Sequence, residues 1–186
     1  MKSRRRAVLA TVLAFGLVCA WTSVSHSDVR VAPDFTLPDI AGEDVQLSEL
    51  LKDGPVIVDF WATWCKPCIR AFPELQTLLE NYTHCGLRVV AVSIDGPRSN
   101  SRVASFIKSK GYGFDVVLDP AQKVARKYHV TSVPRTVLVG QDGNEILAYT
   151  GYRPAHHEEL EKALRTLFPD GCPEPEQIES TEEAGE

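Results

Sequence analysis

The stretch Val56-Ile57-Val58-Asp59-Phe60-Trp61-Ala62-Thr63-Trp64-Cys65-Lys66-Pro67-Cys68 decides how this chain is read. Val56 to Phe60, apolar except for Asp59, has the character of a central strand covered on both faces. A turn carrying two tryptophans follows, then two cysteines separated by two residues, then a helix-like pattern. That spacing puts both sulfurs in the first turn of the helix, close enough to form a disulfide. Unpaired N–H groups and the partial positive charge at a helix start stabilise a thiolate there. The thiolate is the attacking species in disulfide exchange, and a Cys-X-X-Cys turn lowers a cysteine pKa. A zinc site needs a second ligand pair at ligand spacing, and only the adjacent His84-Cys85 and the distant Cys172 are on offer. A purely structural bridge across two residues would close too small a loop to stabilise much. The pattern predicts thiol redox chemistry at Cys65 and Cys68, with no metal.

Val58-Asp59-Phe60-Trp61-Ala62 and Trp64-Cys65-Lys66-Pro67-Cys68 resemble the active-site strand and turn of thioredoxin. With Ala32-Pro33-Asp34-Phe35-Thr36-Leu37, Asp44-Val45-Gln46-Leu47-Ser48 and Val133-Pro134-Arg135-Thr136, the chain resembles the TlpA/ResA branch of exported thioredoxin-like proteins, from about Ala32 to about Phe168. The resemblance implies an α/β, thioredoxin-like fold: a central mixed sheet flanked by helices, with an N-terminal β-hairpin addition and the redoxin-type helix–strand insertion. It implies a thiol:disulfide oxidoreductase that uses no cofactor.

The site residues follow from the same resemblance. Cys65, nearer the helix start and more exposed, would attack a substrate disulfide, and Cys68 would resolve the mixed disulfide. Asp59 matches the buried aspartate of thioredoxin and would help move the Cys68 proton. Burial should raise its pKa toward the range useful for acid–base work; a solvent-facing Asp59 at a strand end is the other reading. TlpA/ResA proteins often carry asparagine at this position and a glutamate three residues past the second cysteine, where this chain has Ala71. Val133-Pro134 matches the family's cis-proline loop, which faces the cysteines and leaves backbone groups free to pair with an extended substrate segment. Gly151 stands where the family keeps a small residue near the site. Lys66 and Pro67 lie between the sulfurs; Lys66 either lowers the Cys65 pKa or is simply solvated. Trp64 and Trp61 would shape the apolar surface around the sulfurs.

At 186 residues, 44% apolar and 24% charged, the chain is long enough for about one domain. Lys2, Arg4, Arg5 and Arg6 precede an uninterrupted run from Ala7 to Ala20. Residues 1–27 read equally as a cleaved export signal or as an uncleaved membrane anchor. Cys19 is a poor lipoprotein site because Val18 stands where a small residue belongs. Losing this segment takes the net charge from −5 to −9. Six glutamates and no basic residue follow Gly171, with Pro173 and Pro175 among them, so 170–186 reads as a disordered acidic tail behind a domain at 30–169. No basic stripe exists, which disfavours nucleic acid as a partner.

Within the domain, Phe35 to Leu47 suggests two short strands turned at Ala41-Gly42, and Ser48 to Leu51 a capped helical turn. Phe72, Leu75, Leu78, Leu79 and Tyr82 recur at helical spacing behind Cys68, with Gly86 as C-cap. Leu87 to Ile94 reads as a strand, Val103 to Gly111 as a helix and Phe114 to Leu118 as a strand. A helix is expected from Asp119-Pro120 to Tyr128, its last turn capped by His129. The strand Val137 to Val139 turns at Gln141-Asp142-Gly143-Asn144 into Glu145 to Tyr149. His156 to Phe168 closes the domain, with Leu160, Ala163, Leu164 and Leu167 inward and His156-His157 at the surface. Cys85 and Cys172 are the spare cysteines; in an oxidising compartment they either pair as a structural disulfide or stay as two free thiols, and the sequence leaves both open.

Functionally, the resemblance implies a reductant in an otherwise oxidising, periplasmic or extracytoplasmic space. A membrane thiol donor would feed it, and apocytochrome c or copper-site proteins would be its substrates. A dithiol oxidase is the alternative within redox chemistry. A copper assembly or carrier protein is disfavoured because Met1 is the only methionine.

Overall fold

Val56–Trp61 (β3), buried at every position, forms the centre of a five-stranded mixed sheet. The computed structural model describes residues 30–168 and Cys172. The expected leader or anchor at 1–27, and the acidic tail apart from Cys172, lie outside the described residues. On one side of β3 run the parallel strands Arg88–Ser93 (β4) and Asp115–Leu118 (β5); on the other run Arg135–Val139 (β6) and Glu145–Thr150 (β7), each antiparallel to its neighbour. The sheet order is therefore β5-β4-β3-β6-β7, the thioredoxin-like architecture the sequence predicts.

Successive side chains of a strand point to opposite faces, so β3 feeds two cores. Ile57 and Trp61 join Phe72, Leu75, Leu78, Leu160 and Leu164 beneath the helices Lys66–Tyr82 (α2), Asn100–Lys110 (α3) and Ala155–Leu167 (α5). Val56, Val58 and Phe60 face the other way, onto Phe35, Leu37, Leu47 and Tyr128. That second layer is made of the hairpin Thr36–Pro38 (β1) and Asp44–Gln46 (β2), the short helix Leu47–Leu50 (α1), and Lys123–Lys127 (α4). The hairpin turn is fastened by one carboxylate: Asp39 Oδ1 accepts from the N–H groups of Ala41, Gly42 and Glu43.

Three local expectations change. Ser48 is no helix cap, because α1 already starts at Leu47; the Ser48 N–H and hydroxyl both donate to Asp34. α4 starts only at Lys123, since Gln122 takes a left-handed φ of 53°. Asp119 instead caps from a distance, accepting from the N–H groups of Lys123 and Ala125 at 2.8 Å each. Leu167, in the last turn of α5, is exposed rather than inward.

Candidate active site

β3 runs out at Trp61, and after four intervening residues α2 begins at Lys66, so the sheet aims the helix N-terminus at the end of its central strand. Cys65 is the N-cap of α2, in extended conformation, and its sulfur accepts the Cys68 N–H at 3.2 Å. Pro67 sits in the first turn, where a helix has N–H groups to spare and a missing one costs nothing. Cys65 and Cys68 are joined as a disulfide with Cα atoms 5.3 Å apart. Cys65 is 4% exposed and Cys68 fully buried, so an incoming sulfur can meet only Cys65. Trp64 and Lys66 beside it stand in solvent. Trp61 does not: it is wholly buried, its ring 4.8 Å from that of Phe72, and it supports the turn from below instead of shaping its surface.

A carboxylate that sequence reasoning missed holds this turn. Asp95, buried after β4, accepts from the Thr63 N–H at 2.8 Å and hydroxyl at 2.7 Å, and from the Ser93 hydroxyl at 3.0 Å. In the sequence Asp95 stands just before Gly96-Pro97, where an acidic residue looks like any turn residue.

Val133–Pro134 is a cis peptide bond. Val133 packs on the apolar cluster that holds Cys65 and Cys68, and Pro134 is buried. The Pro134 carbonyl accepts the Gly151 N–H at 2.7 Å. Gly151 has a φ of +85°, a conformation that a side chain disfavours, which gives this position a reason to be glycine. The loop before β6 and the end of β7 are thus tied together beside the cysteines.

Asp59 is fully buried, not solvent-facing, and lies on the sheet face that α2 covers. Its Oδ1 accepts the Thr136 hydroxyl at 2.7 Å, while Oδ2 has no partner. Burial pushes its carboxyl up to about 7, the Thr136 bond pulling weakly the other way. A carboxyl with that affinity can hold or release a proton near neutrality.

His156 is not a surface residue. It is 2% exposed, stacked on the Tyr149 ring at 3.8 Å between centroids, and its Nε2 accepts from Arg153 Nε at 2.9 Å. His157 is half-buried. The signal was present: 156, 160 and 164 are spaced by four, which puts His156 on the same inward stripe as Leu160 and Leu164.

At the other end of α2, Cys85 is bonded to Cys172 with Cα atoms 4.9 Å apart. His84 brings a ligand atom within 4.8 Å of both sulfurs, the one such grouping of three among the described residues, but both sulfurs are spent on the bridge.

The AhpC/TSA family model matches residues 30–146. The thiol-disulfide oxidoreductase ResA of Bacillus subtilis (strain 168) is 34% identical over 161 residues, covering 81% of this chain and 88% of that protein. ResA of Geobacillus kaustophilus (strain HTA426) is 31% identical over 179 residues, covering 91% and 100%. Among solved structures, a Chlorobium tepidum protein given the name thiol:disulfide interchange protein DsbE superposes with a TM-score of 0.68 at 34% identity, covering 74% of this chain and 95% of that one. StoA of Bacillus subtilis gives 0.58 at 26%, covering 72% and 98%. Sequence and architecture agree: the chain belongs to the thioredoxin-like AhpC/TSA family and is a ResA-like thiol-disulfide oxidoreductase with its cysteine pair at Cys65 and Cys68.

Proposed function

We propose that this protein works outside the cytoplasm as a reductant of protein disulfides, in cytochrome c maturation or copper-site assembly, with electrons from a membrane thiol donor. The observation that carries the chemistry is the asymmetry of the pair. Cys65 alone is reachable, and its sulfur is the one that accepts an N–H at the start of α2. As a thiolate it attacks one sulfur of a substrate disulfide, forming a mixed disulfide and releasing the other substrate sulfur. Cys68 then gives its proton to Asp59 and attacks Cys65, so the second substrate thiolate leaves and the Cys65–Cys68 bond forms. The protein is oxidised by two electrons, the substrate reduced by two.

Trp64 offers an apolar face to the substrate chain, while Val133, Pro134 and Gly151 place it, by backbone pairing at the cis-proline loop. Lys66 and Pro67 tune the Cys65 environment. Export is supported by the basic-then-apolar segment at 1–27, as cleaved signal or membrane tether, ahead of a domain at 30–169 and an acidic tail. It is also supported by the Cys85–Cys172 bond, which persists in an oxidising compartment.

The reduction potential of Cys65–Cys68 in a defined thiol buffer tests the direction. A value of about −250 mV or lower fits a reductant; one near about −120 mV replaces this reading with a dithiol oxidase.

A further inference from the structure

Asp59 presents a transport problem. A carboxyl that takes the Cys68 proton must lose it again before the next turnover, and Asp59 is fully buried. Its one hydrogen-bond partner among the described residues is Thr136, directly opposite it across β3 and β6. Thr136 in turn stands directly opposite Tyr149 across β6 and β7, and both side chains line the same recess. Three side chains capable of passing protons therefore form one row across three neighbouring strands, from the centre of the sheet to its edge. The row ends on His156, stacked over the Tyr149 ring.

That end of the row opens on a recess with about 10 Å³ of room, on the order of one water molecule. Thr136, Tyr149 and His156 all line it, with Glu74, Tyr152 and Pro134 at its wall. Because His156 Nε2 accepts from Arg153, the neutral ring carries its proton on Nδ1, a buried donor without a protein partner. On the outer side the Tyr152 hydroxyl donates to Glu74 at 2.6 Å, where both residues are partly exposed. The groups beside Tyr149 are thus Thr136 from β6 and His156 from α5, with Asp59 from β3, Glu74 from α2 and Glu159 from α5 close enough for their charge to reach the phenol.

We propose that Thr136 and Tyr149 form a proton path, leading past His156 to the recess, that connects the buried Asp59 carboxyl with solvent. The proposal rests on the reading of Asp59 as acceptor of the Cys68 proton. In the discharging step the Asp59 proton passes to Thr136 Oγ1 as the Thr136 proton passes to the phenol oxygen of Tyr149. The phenol proton leaves at the same time to water in the recess. Every hydroxyl ends as it began, one proton has moved outward, and no electrons move. Burial holds the Tyr149 phenol well above its ordinary pKa, so it remains a hydroxyl throughout. Thr136 and Tyr149 act through Asp59, which Thr136 bonds directly.

The test is the rate at which the Cys65–Cys68 disulfide closes when the reduced protein meets oxidised glutathione. It is followed over repeated turnovers, with dithiothreitol re-reducing the pair between closures, from pH 5 to 9 in H2O and D2O. The decisive variant is Tyr149→Phe, which removes one oxygen and leaves the Asp59–Thr136 bond in place. We expect closure to slow by about tenfold or more, within the range of lost acid–base assistance. Its pH midpoint should stay put, and Cys65 attack, isolated in a Cys68→Ser background, should be unchanged. Thr136→Val should slow closure as well, and Thr136→Ser should restore it. Closure at the wild-type rate in Tyr149→Phe, or equal slowing of attack and closure, overturns the path. Asp59→Asn separates the two readings. If it slows closure while Tyr149→Phe does not, the path alone falls; if it too closes at the wild-type rate, the role given to Asp59 falls, and the path with it.

Discussion

The two ends of α2 each carry a disulfide, and the two bonds have opposite characters. Cys65–Cys68 spans three residues at the N-terminus; Cys85–Cys172 spans 87, just past the C-terminus. Exposure does not separate them, since Cys65 is 4% and Cys85 8% exposed. Loop length and local field do. Closing a three-residue loop removes little freedom from the unfolded chain, below about 2 kcal/mol, whereas a loop of that larger size removes about 4–5 kcal/mol. The first bond can therefore open in every cycle at small cost to the fold, while the second holds the fold together. The helix adds to the contrast. Its positive end favours a thiolate on Cys65, and its negative end disfavours one near Cys85. One helix thus makes one disulfide reactive and the other inert.

The largest effect that could break this comparison is on turnover. Cys65→Ser should abolish reduction of a protein disulfide. Cys68→Ser should still attack and accumulate a mixed disulfide, visible as a covalent adduct on a non-reducing gel. Adducts on Cys65→Ser instead would reverse the assignment of the two sulfurs. Next in size is the other end. Replacing both Cys85 and Cys172 by serine should lower unfolding free energy by about 4–5 kcal/mol in a denaturant titration, with turnover within about twofold of wild type. An unchanged denaturation midpoint would remove the structural role of the second bond.

Much of the working end was legible in the sequence because its chemistry is local. The cysteine spacing, the strand before it and the Val133-Pro134 motif each sit within a few residues, and the strand and helix periods gave the sheet and its covering helices. What was not legible depends on contacts between distant residues. Asp95 grips Thr63 across 32 positions, and nothing about Ile94-Asp95-Gly96 announces it. Trp61 looks like a partner of Trp64, yet the strand alternation sends it into the core with Phe72. His156 was misplaced for another reason: its residue type suggested the surface, while its position, four residues before Leu160, pointed inward. α4 came out shorter than expected because Pro120 suggested a helix start that the left-handed Gln122 postpones.

The third effect concerns pH. The Asp59 carboxyl ionises near 3.8 in an unfolded chain and near 7 in the fold. Between those values the folded protein keeps a proton that the unfolded chain has lost, so stability falls as pH rises and levels off above about 7. Asp59→Asn has no such proton. From pH 4 to pH 8 the stability difference between the two proteins should grow in favour of asparagine by about 4 kcal/mol, the worth of a shift of about three pKa units. A pH-independent difference would mean that Asp59 does not titrate in this window. The same variant should slow closure of the Cys65–Cys68 bond above pH 7, so its gain in stability would come with a loss of function.

Asp95 gives the smallest effect and the sharpest control, because it is the other buried carboxylate on the cysteine side of the fold. Both of its oxygens are occupied by donors, whereas Asp59 has one bare oxygen. A carboxylate so fully bonded fixes geometry; one left half-bonded is free to exchange a proton. Asp95→Ala would leave the Thr63 N–H and the Thr63 and Ser93 hydroxyls to find new partners, and should cost about 1–3 kcal/mol. It should slow Cys65 attack and disulfide closure alike, because the turn that presents both sulfurs loosens. Asp95→Asn keeps an accepting oxygen and should recover part of both. Asp59→Asn, by contrast, should spare attack and slow closure alone. If Asp95→Ala also slowed only closure, the division between a carboxylate that positions and one that moves a proton would fail. The asymmetry of the working end would then need a different source than hydrogen-bond occupancy.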